Sequence, residues 1–387
     1  MHSVPLLELG GVILGLAAVA RLAGRAGIPA IPFYLITGLA FGEGGLIPLV
    51  RTEEFVRIGS EIGLILLLFM LGLEYSAREL VSTMRRSLGA GVLDFVLNYA
   101  PGFAAGLLMG WGLVPAMFLG GITLMSSSGV AAKILADLKW ERNRETRLVL
   151  SISVMEDLAM AVYLPVLGAL LLGGLTLAGL GTVALAILGV TTLLTLALKV
   201  EVGLSRMIFS HSDEALLLTI LGFAILAAGV AELVDVSAAV GALLAGIVVS
   251  GPAAEGAREL LRPLRDLFAA IFFAFVGFSV DPASIPPALG AAAVLALVGV
   301  GTKLATGWAA GRWAGLEAHE RLRAGAALVA RGEFSIAIAG LAAAAGLEPR
   351  LAPFSVSYVL ILAIAGPIIS RVVDAAIRRS EAPAPSE

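Results

Sequence analysis

The sequence predicts an all-α polytopic membrane protein of about thirteen transmembrane helices. Three observations carry this. Hydrophobic residues make up 59% of the 387 and charged residues only 14%, a balance foreign to soluble domains. Apolar runs of helix length alternate with short polar loops, and none has the roughly ten-residue alternation of an outer-membrane strand. Finally, the basic residues follow the alternation of the loops from side to side.

The spans fall at residues 4–22, 31–49, 57–76, 88–110, 114–138, 146–172, 176–199, 213–232, 237–251, 263–280, 287–311, 322–346 and 352–377. An odd number places the termini on opposite faces. With the N-terminus outside, 21 of the 26 Lys and Arg residues lie in loops on the inner side. Arg51, Arg57 and Arg350 lie on the outer side, and Lys303 and Arg331 lie within spans. This is the expected bias of a cell (inner or plasma) membrane protein with a cytoplasmic C-terminus. The first span lacks a basic leader and a small-residue cleavage site, so it reads as a retained helix. Pro29, Pro32, Gly38 and Gly42 make the second span irregular. Residues 378–387, RRSEAPAPSE, read as a disordered cytoplasmic tail with no soluble domain after it. The body, 1–377, reads as one transmembrane domain.

The absence of cysteine excludes disulfides and thiolate chemistry. His2, His211 and His319 fall in a terminus or loops. No HExxH, GxSxG or GxGD setting occurs, so an intramembrane enzyme is disfavoured. No cofactor and no nucleic-acid partner is expected; the lipid bilayer is the obligatory surrounding.

The chain is organised around Ser151–Val166, SISVMEDLAMAVYLPV, where Glu156 and Asp157 sit side by side in mid-span. A charge at the bilayer centre costs about 3 kcal/mol or more. Neighbouring residues on a helix point about 100° apart, so each carboxylate needs its own counter-charge, ion or proton. Pairing with basic residues for structure alone is the blander reading; an intramembrane ionisable pair more often marks function. Lys303, in VLALVGVGTKLATGWAAG, has no acid within a turn. Glu156 or Asp157 is its economical partner, since an unpaired buried ammonium loses its proton.

Two spans carry polar breaks. The fifth holds Ser126, Ser127, Ser128 and Gly129; the twelfth holds Arg331, Gly332, Glu333 and Ser335. Matching polar, Gly-containing breaks are the best sequence pointer to a transporter's binding site. Serines alone are weak evidence, because they often bond their own backbone. The stretch 57–172 and the stretch from 263 onward share an order of helices, and Ser128 and Glu333 lie 205 residues apart. This suggests an inverted repeat. A transport bundle is expected mainly from 57–172 and 263–346, the other helices forming scaffold and dimer face. Asp94 and Asn98 are spaced i, i+4 on one face. Asp94 either lies near the ion path or partners Arg331, and it is the leading acid for that arginine. Glu74, Glu232 and Asp235 read as interfacial caps.

The elements LLLFMLGLEYS, SSSGVAAKIL, the ED pair, LVGVGTKLATG and ARGEFSIAIAG stand in the order and spacing of the cation:proton antiporter-2 family. The chain resembles the membrane domain of a Na+/H+ or Kef-type K+/H+ antiporter over residues 4–377. The resemblance implies inverted repeats with two crossed broken helices, a homodimer and elevator-type alternating access. It implies that Asp157 binds cation and proton. Glu156 takes the preceding position, often aspartate in sodium-type members, and Lys303 matches the lysine paired with it. Ser126, Ser127 and Ser128 would add oxygen ligands. Lys303, Arg331, Glu333 and Asp94 would compensate charge. Kef-type members often add a nucleotide-binding domain, so a separate regulatory subunit is an expected partner. The expected function is exchange of Na+ or K+ for protons. An organic-anion or bile-acid-type sodium symporter and a passive cation channel are the alternatives. Selectivity between Na+ and K+ lies in cavity geometry below the reach of sequence.

Overall fold

A chain that crosses hydrocarbon must satisfy its own backbone, and helices do so within a single segment. In the computed structural model the described residues are 3–26, 30–41, 53–74, 77–140, 142–173, 181, 188, 212–233, 238–249, 252–278 and 280–381, and among them no strand occurs. The helices are α1 (Ser3–Ala26), α2 (Ile31–Phe41), α3 (Glu53–Glu74), α4 (Ala77–Leu108), α5 (Leu113–Leu124), α6 (Ser128–Asp137) and α7 (Arg144–Gly173). They continue with α8 (Asp213–Leu233), α9 (Ala238–Val248), α10 (Pro252–Phe278), α11 (Ile285–Trp313), α12 (Ala318–Ala327), α13 (Glu333–Ala344) and α14 (Leu351–Glu381).

Each expected span except 176–199 meets a helix or a broken pair of helices; that one lies almost wholly outside the described residues. The fifth span is broken between α5 and α6, and the twelfth between α12 and α13. The expected tail is helical through Glu381, where α14 ends; residues 382–387 lie outside the described residues.

The chain divides into two compact units. The first comprises 1–17, 34–86 and 157–279. In it α3 packs on α9 and α10, and α8 packs on α9. Leu66, Phe69, Leu73, Ile220, Ala242 and Leu261 centre its core. Gly72 of α3 faces Gly246 of α9 so closely that a Cβ on either would strike the other's backbone. Small residues allow such approach where no hydrophobic effect drives helices together. Arg258 of α10 donates to the Leu73 carbonyl near the end of α3, from Nε at 3.0 Å.

The second unit comprises 18–33, 87–156 and 280–387. It holds most of α4, then α5, α6, the first half of α7, and α11 to α14. In it α11 packs on α12 and α14, and α13 packs on α5 and α14. Gly307 of α11 meets Gly325 of α12 backbone to backbone. At one end Trp140, Glu145, Arg323 and Asp374 interlock. The Trp140 indole donates to Asp374 at 3.0 Å, and Arg323 lies 3.8 Å from Glu145 and 3.5 Å from Asp374. Residues 57–76 and 263–278, which the sequence groups with the carboxylate helix, fall in the first unit with α8, α9 and the part of α7 from Asp157 onward. The order of helices along a chain does not say which faces meet, and here α3 and α10 share a face.

Candidate functional site

The site begins with two helix ends in the second unit. Chain breaks inside an apolar run leave carbonyls at the stump of one half-helix and amides at the head of the next. Here α5 ends at Leu124 and α6 starts at Ser128; α12 ends at Ala327 and α13 starts at Glu333. The two breaks are stitched together. Ser335 Oγ donates to the Ile122 carbonyl at 2.9 Å, Arg331 to the Thr123 carbonyl at 2.9 Å, and the Ser127 amide to the Ala330 carbonyl at 2.8 Å. Ser126 Oγ lies 2.9 Å from the Leu328 carbonyl. Residues 122–127 thus meet residues 328–335 through several hydrogen bonds, and the two breaks cross. This is the crossing of broken helices that the family resemblance implies.

The three serines have separate positions. Ser127 Oγ accepts the Val130 amide at 3.3 Å, the geometry of an N-cap on α6. Ser128 is the first residue of α6 and is partly exposed. Ser126 is buried and reaches Glu156 twice. Its amide donates to Oε2 at 2.5 Å, and its hydroxyl lies 2.9 Å from Oε1.

Glu156 and Asp157 are both buried in the middle of α7. Lys303, in the middle of α11, is fully buried, and its Nζ lies 2.6 Å from Glu156 Oε1. The same ammonium lies 2.7 Å from Asp94 Oδ1. A single cation thus bridges two carboxylates from two helices. Asn98, one turn beyond Asp94, donates to Asp94 Oδ1 at 2.9 Å and to Thr306 at 3.3 Å. It accepts from the Thr302 hydroxyl at 2.8 Å. Thr302 and Thr306 flank Lys303 on α11, so the residues that position the lysine also position the amide.

Arg331 departs from expectation. Its sequence-predicted partner was Asp94, but Asp94 belongs to Lys303. Arg331 is fully buried, and its two terminal nitrogens donate to backbone, while Nε has no hydrogen-bond partner among the described residues. Nη1 reaches the carbonyls of Leu328 at 3.1 Å and Val329 at 3.2 Å, and Nη2 that of Thr123. These carbonyls lie at the C-terminal stumps of α12 and α5. Helix C-termini carry about half a negative charge each. One guanidinium therefore answers two helix ends at once, and no acid is needed. Gly332 between Arg331 and Glu333 is non-helical, as the expected unwinding requires. Glu333 opens α13, and its side chain lies outside the described residues, as do those of Glu74, Glu232 and Asp235.

Thr302 and Thr306 were not singled out in the sequence. The available signal was their i, i+4 spacing around Lys303, which mirrors the spacing of Asp94 and Asn98.

Crossed broken helices beside a buried lysine and carboxylates are the arrangement of a secondary transporter. The particular family follows from comparison. Residues 12–375 match the sodium/hydrogen exchanger family, transmembrane part, and the chain belongs to it. It is 34% identical over 373 residues to the K(+)/H(+) antiporter subunit KhtU of Bacillus subtilis, covering 94% of this chain and 92% of that one. It is 31% identical to the ammonium/H(+) antiporter subunit AmhT of Alkalihalophilus pseudofirmus, covering 88% and 87%. In structure it is similar to the sodium proton antiporter MjNhaP1 of Methanocaldococcus jannaschii, with a TM-score of 0.64, 16% identity and 97% of each chain covered. The protein is a multi-pass membrane transporter of the antiporter class and not an enzyme.

Proposed function

We propose that the protein exchanges a monovalent cation, Na+ or K+, for protons, with Asp157 as the carboxylate that takes either ion. The observation that supports this most is the buried Glu156–Asp157 pair. Glu156 is fixed by Lys303 and Ser126 against the crossing of the broken helices, while Asp157 is the next residue along the same helix. Hard monovalent cations take oxygen ligands, and a carboxylate that binds a cation or a proton but not both is sufficient for exchange. Serine hydroxyls, freed carbonyls and water would complete the shell. Arg331 serves the helix ends rather than the ion.

The exchange proceeds by elevator-type alternating access, with a moving bundle drawn mainly from residues 57–172 and 263–346. The remaining helices form scaffold and homodimer face. The protein sits in the cell membrane with its C-terminus in the cytoplasm. Relatives named for K+, ammonium and Na+ antiport support a monovalent cation as the class of substrate. Two of them are named as subunits, which supports a separate regulatory chain as partner.

The test is proton movement in proteoliposomes holding a pH-sensitive dye and a preset pH gradient. Added Na+ or K+ should dissipate the gradient in a saturable way. A gradient indifferent to Na+, K+ and Li+ would overturn the reading.

A further inference from the structure

We propose that Asp94 is a second seat for the Lys303 ammonium, a positioning residue that retains the lysine whenever Glu156 gives up its charge. The inference rests on the reading that Glu156 belongs to the transport site.

The geometry is nearly symmetric. Lys303 Nζ stands 2.6 Å from Glu156 Oε1 and 2.7 Å from Asp94 Oδ1. All three side chains are buried. Two carboxylates and one ammonium sum to one negative charge, so the cluster is not neutral unless it also holds a proton or a further cation. An uncompensated charge in such a place is costly. If Glu156 takes a proton or joins a bound cation, a lysine with no other anion would be stranded. Asp94 removes that obstacle.

Its second oxygen shows how. Asp94 Oδ2 is buried and has no hydrogen-bond partner among the described residues. An ammonium has three hydrogens, and two are committed to Oδ1 and to Glu156. Turning from Glu156 to Asp94 Oδ2 requires a rotation at the end of the side chain, not a movement of α11. Asp94 itself is held for this role. Asn98 donates to Oδ1, and Thr302 and Thr306 hold Asn98. Glu156 loses little on release, because Ser126 still donates its amide to Oε2. Among the described residues, the other buried charged groups of these elements include Asp157, next to Glu156 on α7, and Arg331, whose terminal nitrogens donate to helix-end carbonyls.

Four variants of the full chain, purified in detergent and reconstituted, test this. E156Q and D94N should each fold, since Lys303 keeps one anion in either. E156Q/D94N should lose far more Tm than the two single losses combined. Adding K303M to that pair should restore most of the loss; if the double variant cannot be purified, recovery of the triple variant carries the same information. In proteoliposomes D94N should raise the KM for the cation by about tenfold, the size of an ordinary coupling between sites, and affect kcat less. Additive Tm losses, or a triple variant no more stable than the double, would overturn the proposal. So would a D94N protein whose KM is that of the parent, which would make Asp94 a structural partner only. Failure of the transport reading looks different: the Tm coupling would persist while the parent protein shows no cation-dependent proton movement.

Discussion

Arg331 and Thr123 are 208 residues apart, yet the guanidinium of one donates to the carbonyl of the other at 2.9 Å. The contact joins one broken helix to the stump of the other. Arg331→Lys keeps the charge but loses the planar fork that reaches three carbonyls. At least one buried carbonyl would then lack its donor, at a cost of about 1–3 kcal/mol. Thermal unfolding in detergent should show a clear drop in Tm. An unchanged Tm would mean that these carbonyls are satisfied in another way.

Lys303→Met removes from Asp94 and Glu156 together the cation that bridges them. Breaking a buried pair at one partner costs about 3–5 kcal/mol. Here two acids are left, so Glu156→Gln in the Lys303→Met background should recover only part of the stability, and Asp94→Asn should be required for the rest. Chemical unfolding of the three variants would reveal the ranking. Complete recovery with Glu156→Gln alone would contradict it.

Asp157→Asn keeps the shape of the side chain and removes both its charge and its proton affinity. The variant should fold with a Tm close to that of the parent and show no cation-dependent proton flux in proteoliposomes. Flux within about twofold of the parent, a difference of less than 1 kcal/mol in barrier, would remove Asp157 from its assigned role.

Gly332→Ala would place a Cβ 2.5 Å from Ser127 Oγ and 2.7 Å from its Cβ. The two breaks would have to separate, at an overpacking cost of about 1–3 kcal/mol. Ser127→Gly in the same chain should relieve the clash, although it also removes the cap on α6. The diagnostic result is a double variant more stable than Gly332→Ala alone.

The helical class and the placement of spans were legible because hydropathy is a one-dimensional signal and the bilayer sets its length scale. Both breaks were legible for the same reason, as polar residues in the middle of apolar runs. Charge economy narrowed the partner of Lys303 to Glu156 or Asp157, and the family resemblance pointed to Glu156. The contact of Lys303 with Asp94 was not: two basic residues, Lys303 and Arg331, competed for that acid, and spacing along α4 does not rank partners on other helices. Arg331 was misassigned because its acceptors are backbone carbonyls, which every residue has and no sequence displays. The grouping of α3 and α10 with α8 and α9 was hidden because it depends on close approaches such as Gly72 to Gly246, which spacing in one helix does not reveal.

The hydrogen bond from the Ser127 amide to the Ala330 carbonyl has a kinetic consequence. Non-helical backbone is ordinarily the first to exchange its amide hydrogens with solvent. The Ser127 amide is buried and bonded across to the other break, so it can exchange only when the two breaks part. Its exchange clock should therefore run with that of the helix interiors around it. A kink that looks like a hinge would then behave as a weld, and any motion that carries the carboxylates would carry both breaks together.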